Sequence, residues 1–271
     1  MAASPGRAVH APDGTRIATF VSGDGPPLVL VHGAASDHTT FRVVEPLLAS
    51  RYTVHTIDRR GRGASGDGAR YSIEREFDDL AEVVDAVAAE NGQVVDVVGH
   101  SFGGRVGLGA ALRTANLRRL VVYEGAPAPA GTPYQRPDLL GRLQSLADAG
   151  RNEELLSTFL AEVIGMSGTD LAAYRANPVW PARVAAAPTI VREIEAEGSA
   201  AAGLDALGGV GVPVLQVLGG ASRPAFRSAT EALHERLSHG RIAVIEGAKH
   251  AAHHSHPDRF VAEIEGFLAA P

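Results

Sequence analysis

Cysteine is absent from the 271 residues of this sequence. The chain therefore contains no disulfide, no thiolate metal site and no cysteine nucleophile, so any covalent chemistry needs another nucleophile. An excess of positive charge is also absent, because the formal net charge is -6 and acidic and basic residues are interspersed. Such a surface offers no basic face to a phosphate backbone or an anionic membrane, and we expect neither nucleic acid nor membrane as a partner.

Long hydrophobic runs are missing as well, and none reaches the length of a membrane span. The opening stretch MAASPGRAVHAPDGTR lacks the apolar segment of a secretory signal, so we expect a cytoplasmic protein. Hydrophobic residues nevertheless make up 45% of the chain and charged residues 21%, which is typical of a folded protein and not of a disordered one.

Short apolar runs alternate with longer stretches of helical period along the chain. The runs are PLVLVHG, YTVHTID, VVDVVGH, LRRLVVYEG, VPVLQVLGG and RIAVIEG. Their richness in Val, Ile and Leu, with little polar alternation, is typical of parallel strands that are covered on both faces. The stretch AVHAPDGTRIATFV, which precedes them, predicts a hairpin. The sequence therefore predicts an α/β fold with a mostly parallel central sheet flanked by helices.

The segment from residue 127 to residue 208 breaks this alternation. It contains helical stretches such as LLGRLQSLADAG and EELLSTFLAEVIGM but no convincing strand. We therefore expect a helical insertion after the strand that ends near Tyr123, with residues 1–126 and 209–271 forming the core.

The stretch VVGHSFGGR places Ser101 between an apolar strand and a helical segment. Gly99 and Gly103 lie two residues away on either side, and the lack of a Cβ lets neighbouring backbone approach there. We predict that Ser101 is a nucleophile on a strained turn, and that the backbone N–H of Phe102 is an oxyanion donor at the start of the helix. The alternative is a glycine-rich turn with a purely structural role.

A serine hydroxyl needs a base to remove its proton and a third group to orient that base. His250 is the predicted base, because it follows the last apolar strand and precedes the last helix. Its neighbours His253, His254 and His256 leave two alternatives, a histidine-rich surface loop and a metal site. No nearby carboxylate completes a ligand set, and we expect no metal.

Glu124 is the predicted acid of the triad. It follows the strand LRRLVV, whereas the stretch GGASRPAF after VPVLQVL contains no carboxylate. The alternative is a glutamate that only bonds to backbone at the start of the insertion. The second oxyanion donor is predicted to be the N–H of Ala34, in the loop after the first core strand.

Four residues are predicted to contact substrate: His32, His100, Met166 and Trp180. His32 and His100 lie near the turn of the nucleophile and are expected to line the pocket, or only to pack there, and not to act as second bases. Trp180, the only tryptophan, is expected with Met166 in an apolar pocket, the alternative being simple core packing. Further candidates for this pocket are Phe41, Phe102, Tyr134 and Phe159.

Three arginines of the insertion, Arg136, Arg142 and Arg183, are candidates for recognising a carboxylate. Arginine is rarely buried without a partner, so we favour solvated helix faces for all three.

In their order along the chain these motifs resemble those of the α/β-hydrolase family. HGAASDH is similar to its oxyanion loop, DRRGRGASG to its turn after the next strand, GHSFGG to its nucleophile elbow and GAKHAAHHSHPDRF to its histidine loop. The resemblance implies an α/β-hydrolase fold, no cofactor, and a helical cap formed by residues 127–208. It also implies a scaffold role for the turn that begins at Asp58, so Arg59, Arg60 and Arg62 receive no catalytic role.

The resemblance bears on the acid and on the reaction. Many members carry the acid where Ala221 and Ser222 stand here, but some carry it one strand earlier, where Glu124 stands. A serine at the elbow argues against haloalkane dehalogenases and epoxide hydrolases, which use aspartate there.

We therefore expect a hydrolase that cleaves an ester, thioester or lactone of a small, largely apolar substrate through a Ser-His-Glu acyl-enzyme. Alternatives on the same fold are a C-C bond hydrolase, a cofactor-free perhydrolase or haloperoxidase, and a biosynthetic acyltransferase or cyclase. A non-catalytic protein that binds a small molecule is the alternative of another class. Some members dimerise through the cap, so a homodimer stays open.

Overall fold

The computed structural model of the chain describes residues 4–5, 8–129, 131, 134, 136 and 138–270. Its strands are β1 (Ser4–Pro5), β2 (Val9–His10), β3 (Arg16–Ser22), β4 (Pro27–Val31), β5 (Thr53–Asp58), β6 (Val95–His100), β7 (Leu117–Tyr123), β8 (Val214–Gly219) and β9 (Gly240–Ile245). They lie in the order β1-β3-β5-β4-β6-β7-β8-β9, and β2 pairs with β3.

Strands β4 to β9 run parallel to their neighbours, and β3 joins the sheet antiparallel to β5. The six apolar runs of the sequence are these six parallel strands, and the predicted hairpin is the antiparallel pair of β2 and β3. The predicted mostly parallel sheet is therefore confirmed. The parallel pairing of β6 with β7 places His100 opposite Tyr123, so the residues that follow these two strands meet at one edge of the sheet.

Helices cover both faces of this sheet. The helices of the described part are α1 (Glu45–Leu48), α2 (Ile73–Asn91), α3 (Phe102–Ala111), α4 (Leu139–Asp148), α5 (Asn152–Phe159), α6 (Gly168–Arg175), α7 (Trp180–Ala186), α8 (Thr189–Ala196), α9 (Leu204–Leu207), α10 (Pro224–His234), α11 (Ala252–Ser255) and α12 (Pro257–Leu268). A π-helical turn, Leu160–Ile164, follows α5 directly. No helix of the described part is long and apolar enough to cross a membrane.

Helix α2 shows why the ends of the core helices could be predicted from the sequence. Ser72 caps its first turn by accepting from the N–H of Arg75, and Gly92 ends it with a φ of +64°. The apolar stripe that begins at Ile73 and Phe77 is fully buried against the sheet. Local chemistry and packing agree here, as they do for α12, which begins at Pro257.

Between β7 and β8 the described residues form helices α4 to α9 and no strand. Residues 130, 132, 133, 135 and 137 of the expected insertion lie outside the described part. Arg136 and Arg142 are exposed, as expected, but the expectation for Arg183 was wrong. Its guanidinium is only 2% exposed and contacts Asp37 at 2.7 Å, because a core carboxylate satisfies the buried charge.

The turn that begins at Asp58 holds buried arginines. Arg59 donates to both oxygens of Glu76, at 2.8 and 3.0 Å, and also to Glu193 of α8. Arg62 donates to Oε1 of Glu193 at 2.6 Å, and the same oxygen accepts the hydrogen bond from Arg59. These contacts lie between the core and the helical insertion, and they give Arg59 and Arg62 the paired, buried setting of scaffold residues.

Candidate active site

Ser101 lies at the turn from β6 into α3, with φ +54° and ψ -125°. A positive φ is strained for a residue with a side chain and marks positions that the surrounding structure must hold in place. The turn needs its glycines, because a Cβ on Gly99 would lie 2.4 Å from the carbonyl oxygen of Gly103, and a Cβ on Gly103 would lie 2.3 Å from that of Val31. The geometry is that of a nucleophile elbow, with Ser101 beyond the carboxyl end of β6.

His250 and Glu124 form a buried hydrogen bond. The Nδ1–H of His250 donates to Glu124 Oε2 at 2.6 Å, and the other oxygen of Glu124 accepts from the backbone N–H of Gly219 at 2.7 Å. This pairing places the ring proton on Nδ1 and leaves Nε2 as a lone-pair nitrogen. The Nε2 atom is buried and has no hydrogen-bond partner among the described residues, as a free base requires.

Backbone strain in the described part is concentrated at this site. In the described part of the chain, the non-glycine residues with a positive φ are Ala35, Ser101 and Glu124, at +47°, +54° and +46°. They follow β4, β6 and β7, which are neighbours in the sheet. Strain of this kind costs about 1–3 kcal/mol per residue and clusters at functional sites. The sequence contained no signal for Ala35, since alanine has no preference for positive φ.

Two cavities meet at Ser101. The larger has a volume of about 390 Å³, and the predicted residues Ala34, His100, Met166 and His250 line it together with Ser101. The smaller has a volume of about 40 Å³. Its lining includes Ala34, Ser101, Phe102, Glu124, Tyr134 and Phe159. The residues predicted to supply the nucleophile, acid and oxyanion donors therefore surround one small space.

Two of the residues predicted to contact substrate lie elsewhere. His32 is fully buried, receives the N–H of Arg59 on Nε2 at 3.0 Å, and bonds through Nδ1 to the carbonyl of Gly33 at 2.9 Å. It orients the backbone of the loop after β4. Trp180 packs edge-on against Tyr174 within the insertion and lines neither cavity. Sequence reasoning could not separate these packing roles from a pocket, because both environments are apolar.

Three charged residues on the wall of the smaller cavity were missed: Arg105, Glu193 and Glu197. A signal was present, because Glu193 and Glu197 recur at helical spacing on the same face as the apolar Ile190 and Ile194. Acidic residues within an apolar helical stripe point to a buried polar contact.

A cluster of imidazoles lines the larger cavity beside His250. The ring centroids of His100 and His250 are 4.8 Å apart, those of His100 and His253 are 4.5 Å apart, and those of His253 and His254 are 4.4 Å apart. Burial, reinforced by the neighbouring histidines, holds the pKa of His100 and His253 well below the ordinary value, and burial lowers the pKa of His254 to about 4. The cluster is therefore neutral near pH 7, and the described residues contain no group of three or more histidines and carboxylates suited to a metal ion.

We expect the free energy of unfolding to fall when the pH is lowered from about 7.5 to 5.5. The folded-state pKa of His100 and of His253 lies below the ordinary 6.5, so in this window the unfolded chain binds more protons than the folded chain. Each ring then contributes a loss on the order of 1 kcal/mol, which urea titrations at several pH values would measure. The raised pKa of Asp79, about 6 because of its burial, opposes this trend only at the acid end.

A pair of variants isolates the histidine contribution. His253→Asn should reduce the dependence of stability on pH, whereas His239→Asn should not change it, because His239 is exposed to solvent. An unchanged slope in His253→Asn would contradict the explanation.

Comparison with known proteins agrees with the geometry of the elbow and the sheet. Residues 28–263 match the alpha/beta hydrolase family. The pimeloyl-(acyl-carrier protein) methyl ester esterase of Aeromonas hydrophila is 31% identical over 253 residues, which cover 91% of this chain and 96% of that protein. The crystal structure of an alpha/beta hydrolase from Sphaerobacter thermophilus is 32% identical, with a TM-score of 0.79 over 94% of this chain and 100% of that chain.

An esterase from a Rhodococcus species is 23% identical and has a TM-score of 0.78 over 100% of this chain and 99% of that chain, a likeness of fold. The family match over residues 28–263 includes the elbow at Ser101 and the loop that carries His250. Fold, motif order and sequence similarity thus lead to the same assignment: the chain belongs to the alpha/beta hydrolase family.

Proposed function

We propose that this protein is a serine hydrolase of carboxylic esters, with Ser101 as nucleophile, His250 as base and Glu124 as acid. The observation that carries the proposal is the buried 2.6 Å bond between His250 Nδ1 and Glu124 Oε2, next to a strained serine on the same cavity. A ring held in this tautomer presents Nε2 as a base, which is the arrangement that activates a serine hydroxyl. The esterase relative from Aeromonas hydrophila supports the reaction class.

In the proposed mechanism the Oγ of Ser101 attacks the ester carbonyl while Nε2 of His250 takes the hydroxyl proton. The carboxylate of Glu124 stabilises the imidazolium that forms. The N–H groups of Ala34 and Phe102 donate to the oxyanion, and the positive end of the α3 dipole at Phe102 adds to their effect. His250 then protonates the departing alcohol. A water molecule, deprotonated by the same ring, releases the acyl group from Ser101.

We also propose that residues 127–208 act as a cap over this site, and that residues 1–126 and 209–271 form the catalytic core. The larger cavity is bounded by core residues such as His100 and by residues of the insertion such as Leu160, Met166 and Tyr174. Its wall is mostly apolar, which supports a small, largely apolar ester or lactone as substrate. No cofactor takes part in the proposed reaction.

The proposal is tested by hydrolysis of p-nitrophenyl esters from acetate to octanoate, together with labelling by a fluorophosphonate. We expect turnover of these esters and a single adduct on Ser101, located by peptide mass spectrometry, because only an activated serine reacts quickly. A folded protein that neither turns over nor labels would favour simple binding of a small molecule. Labelling without ester turnover would instead point to C-C cleavage or acyl transfer.

A further inference from the structure

The loop that carries the proposed base lies outside the regular elements of the fold. His250 stands between β9, which ends at Ile245, and α11, which begins at Ala252. It therefore belongs to no strand or helix, and pairing within the sheet does not fix its backbone. The proposed reaction nevertheless needs its ring beside both Glu124 and Ser101. Other contacts must hold the backbone of this loop in place.

The hydroxyl group of Tyr123 bridges two backbone groups of this loop, one on each side of His250. It donates to the carbonyl of Lys249 and accepts from the N–H of Ala252 at 2.8 Å. Tyr123 is fully buried and lines neither cavity, so it lies outside the space in which the proposed substrate binds. Burial raises the pKa of this hydroxyl, which keeps it protonated and therefore able to donate.

The ring of His100 holds a third backbone group of the same loop. Its Nε2–H donates to the carbonyl of His250 itself at 2.8 Å. Burial keeps the pKa of His100 well below the ordinary value, so the ring is neutral near pH 7 and its single proton lies on Nε2, where the carbonyl accepts it. His100 and Tyr123 are opposite each other on neighbouring strands, so both side chains reach the loop from the same edge of the sheet.

Each of these two residues immediately precedes a proposed catalytic residue in the sequence. His100 precedes Ser101, and Tyr123 precedes Glu124. A hydrogen bond also links the two turns, because the N–H of Ser101 donates to the carbonyl of Tyr123 at 2.8 Å. The same two short segments thus supply the nucleophile, the acid and the side chains that hold the loop of the base. A misplacement of about 1 Å can cost 10²-fold in rate, so the position of this loop bears directly on kcat.

We infer that Tyr123 and His100 are positioning residues that fix the backbone of the loop around His250. Fixed in this way, the ring keeps its hydrogen bond to Glu124 and its place beside Ser101 on the larger cavity. The inference rests on the proposed esterase function and adds two residues that act through the base. Tyr123 is the cleaner of the two to test, because His100 also lines the larger cavity.

Tyr123→Phe removes the bridging hydroxyl and keeps the buried ring. We expect kcat for a p-nitrophenyl ester to fall by about 10- to 100-fold, with a change in KM of less than about twofold, since residue 123 lies outside both cavities. Tyr71→Phe is the matched control, because it removes a hydroxyl that donates to Glu76 at 3.0 Å and lines neither cavity. It should keep the wild-type kcat within about twofold.

A double-mutant cycle distinguishes an action of Tyr123 through His250 from an effect on general stability. In the His250→Ala background, Tyr123→Phe should leave the residual kcat/KM unchanged within about twofold, because no base remains to be positioned. A purely structural role would lower the rate by a similar factor in both backgrounds.

The hydrogen bond between His250 Nδ1 and Glu124 supplies a second readout, which does not depend on turnover. Its proton should give a downfield resonance in the NMR spectrum that is absent in His250→Ala. We expect this resonance to shift or broaden in Tyr123→Phe and to stay unchanged in Tyr71→Phe.

A pair of variants at residue 100 tests the second contact and does not depend on the folding of Tyr123→Phe. His100→Gln keeps an N–H donor near the position of Nε2, whereas His100→Met has a similar length and no donor. We expect kcat to be at least about tenfold higher in His100→Gln than in His100→Met. Equal values would overturn the positioning role of His100.

The outcomes separate the inference from the function on which it rests. Ready ester turnover by the wild type, with an unchanged kcat in Tyr123→Phe or with equal losses in both backgrounds of the cycle, would overturn the positioning role and leave the esterase function intact. A folded wild-type protein that neither turns over esters nor reacts with a fluorophosphonate would overturn both.

Discussion

Ser101→Ala is expected to lower kcat/KM for a p-nitrophenyl ester by about 10⁵-fold. Alanine retains the Cβ but has no hydroxyl to form an acyl-enzyme, so only the oxyanion donors and substrate binding remain to assist attack by water. The backbone at residue 101 stays at positive φ in both proteins, and we therefore expect little change in the free energy of unfolding. Steady-state kinetics and urea titration of the same preparations measure the two quantities.

Ser222→Ala is the matched control for this substitution. Ser222 follows β8, at the position where many family members carry their acid, and its Oγ is buried without a partner in the described part of the chain. It lines neither cavity, so its loss should change kcat/KM by no more than about twofold. If Ser101→Ala kept more than about one hundredth of the wild-type rate, the nucleophile would have to be sought elsewhere.

Glu124→Gln is expected to lower kcat by about 10⁴-fold because it imposes the wrong tautomer on His250. The N–H of Gly219 donates to Oε1 of Glu124 at 2.7 Å, so a glutamine at 124 would direct its carbonyl oxygen to that donor. Its NH₂ group would then face Nδ1 of His250. Nδ1 would have to accept, the ring proton would move to Nε2, and Nε2 would no longer be a base.

Glu246→Gln supplies the control, because Glu246 is an exposed glutamate just after β9 and should keep wild-type activity. The measurement is the pH dependence of kcat for both variants. If Glu124→Gln retained the wild-type profile, Glu124 would be only a structural residue at the start of the insertion, and the triad would need another acid.

The fold was predictable because its determinants are local. The parallel strands appear as uninterrupted apolar runs, and α2 carries both of its boundary signals, Ser72 and Gly92, in the sequence. Ser101, Glu124 and His250 were predicted as site residues in the same way, since each follows a strand that could be recognised. The structure brings Glu124 and His250 into contact although 126 positions separate them, as the order of the strands implies.

The partners of the buried charges beside the site could not be predicted, because they depend on contacts between distant segments. Arg59 and Glu193 are 134 positions apart, and neither carries a local pattern that names the other as its partner. His32 and Trp180 were expected to face substrate, yet one orients a loop and the other packs inside the insertion. Residue type alone does not tell whether a buried side chain packs in the core or lines the substrate cavity.

The shared carboxylate of Glu193 has a consequence for access to the active site. If α8 moved away from the core, Arg59 and Arg62 would both lose their contact with Glu193, and Arg59 would keep only Glu76 as a carboxylate partner. We therefore expect α8 to stay against the core, and substrate and product to exchange through the mouth of the larger cavity, where the exposed side chain of Arg42 lies.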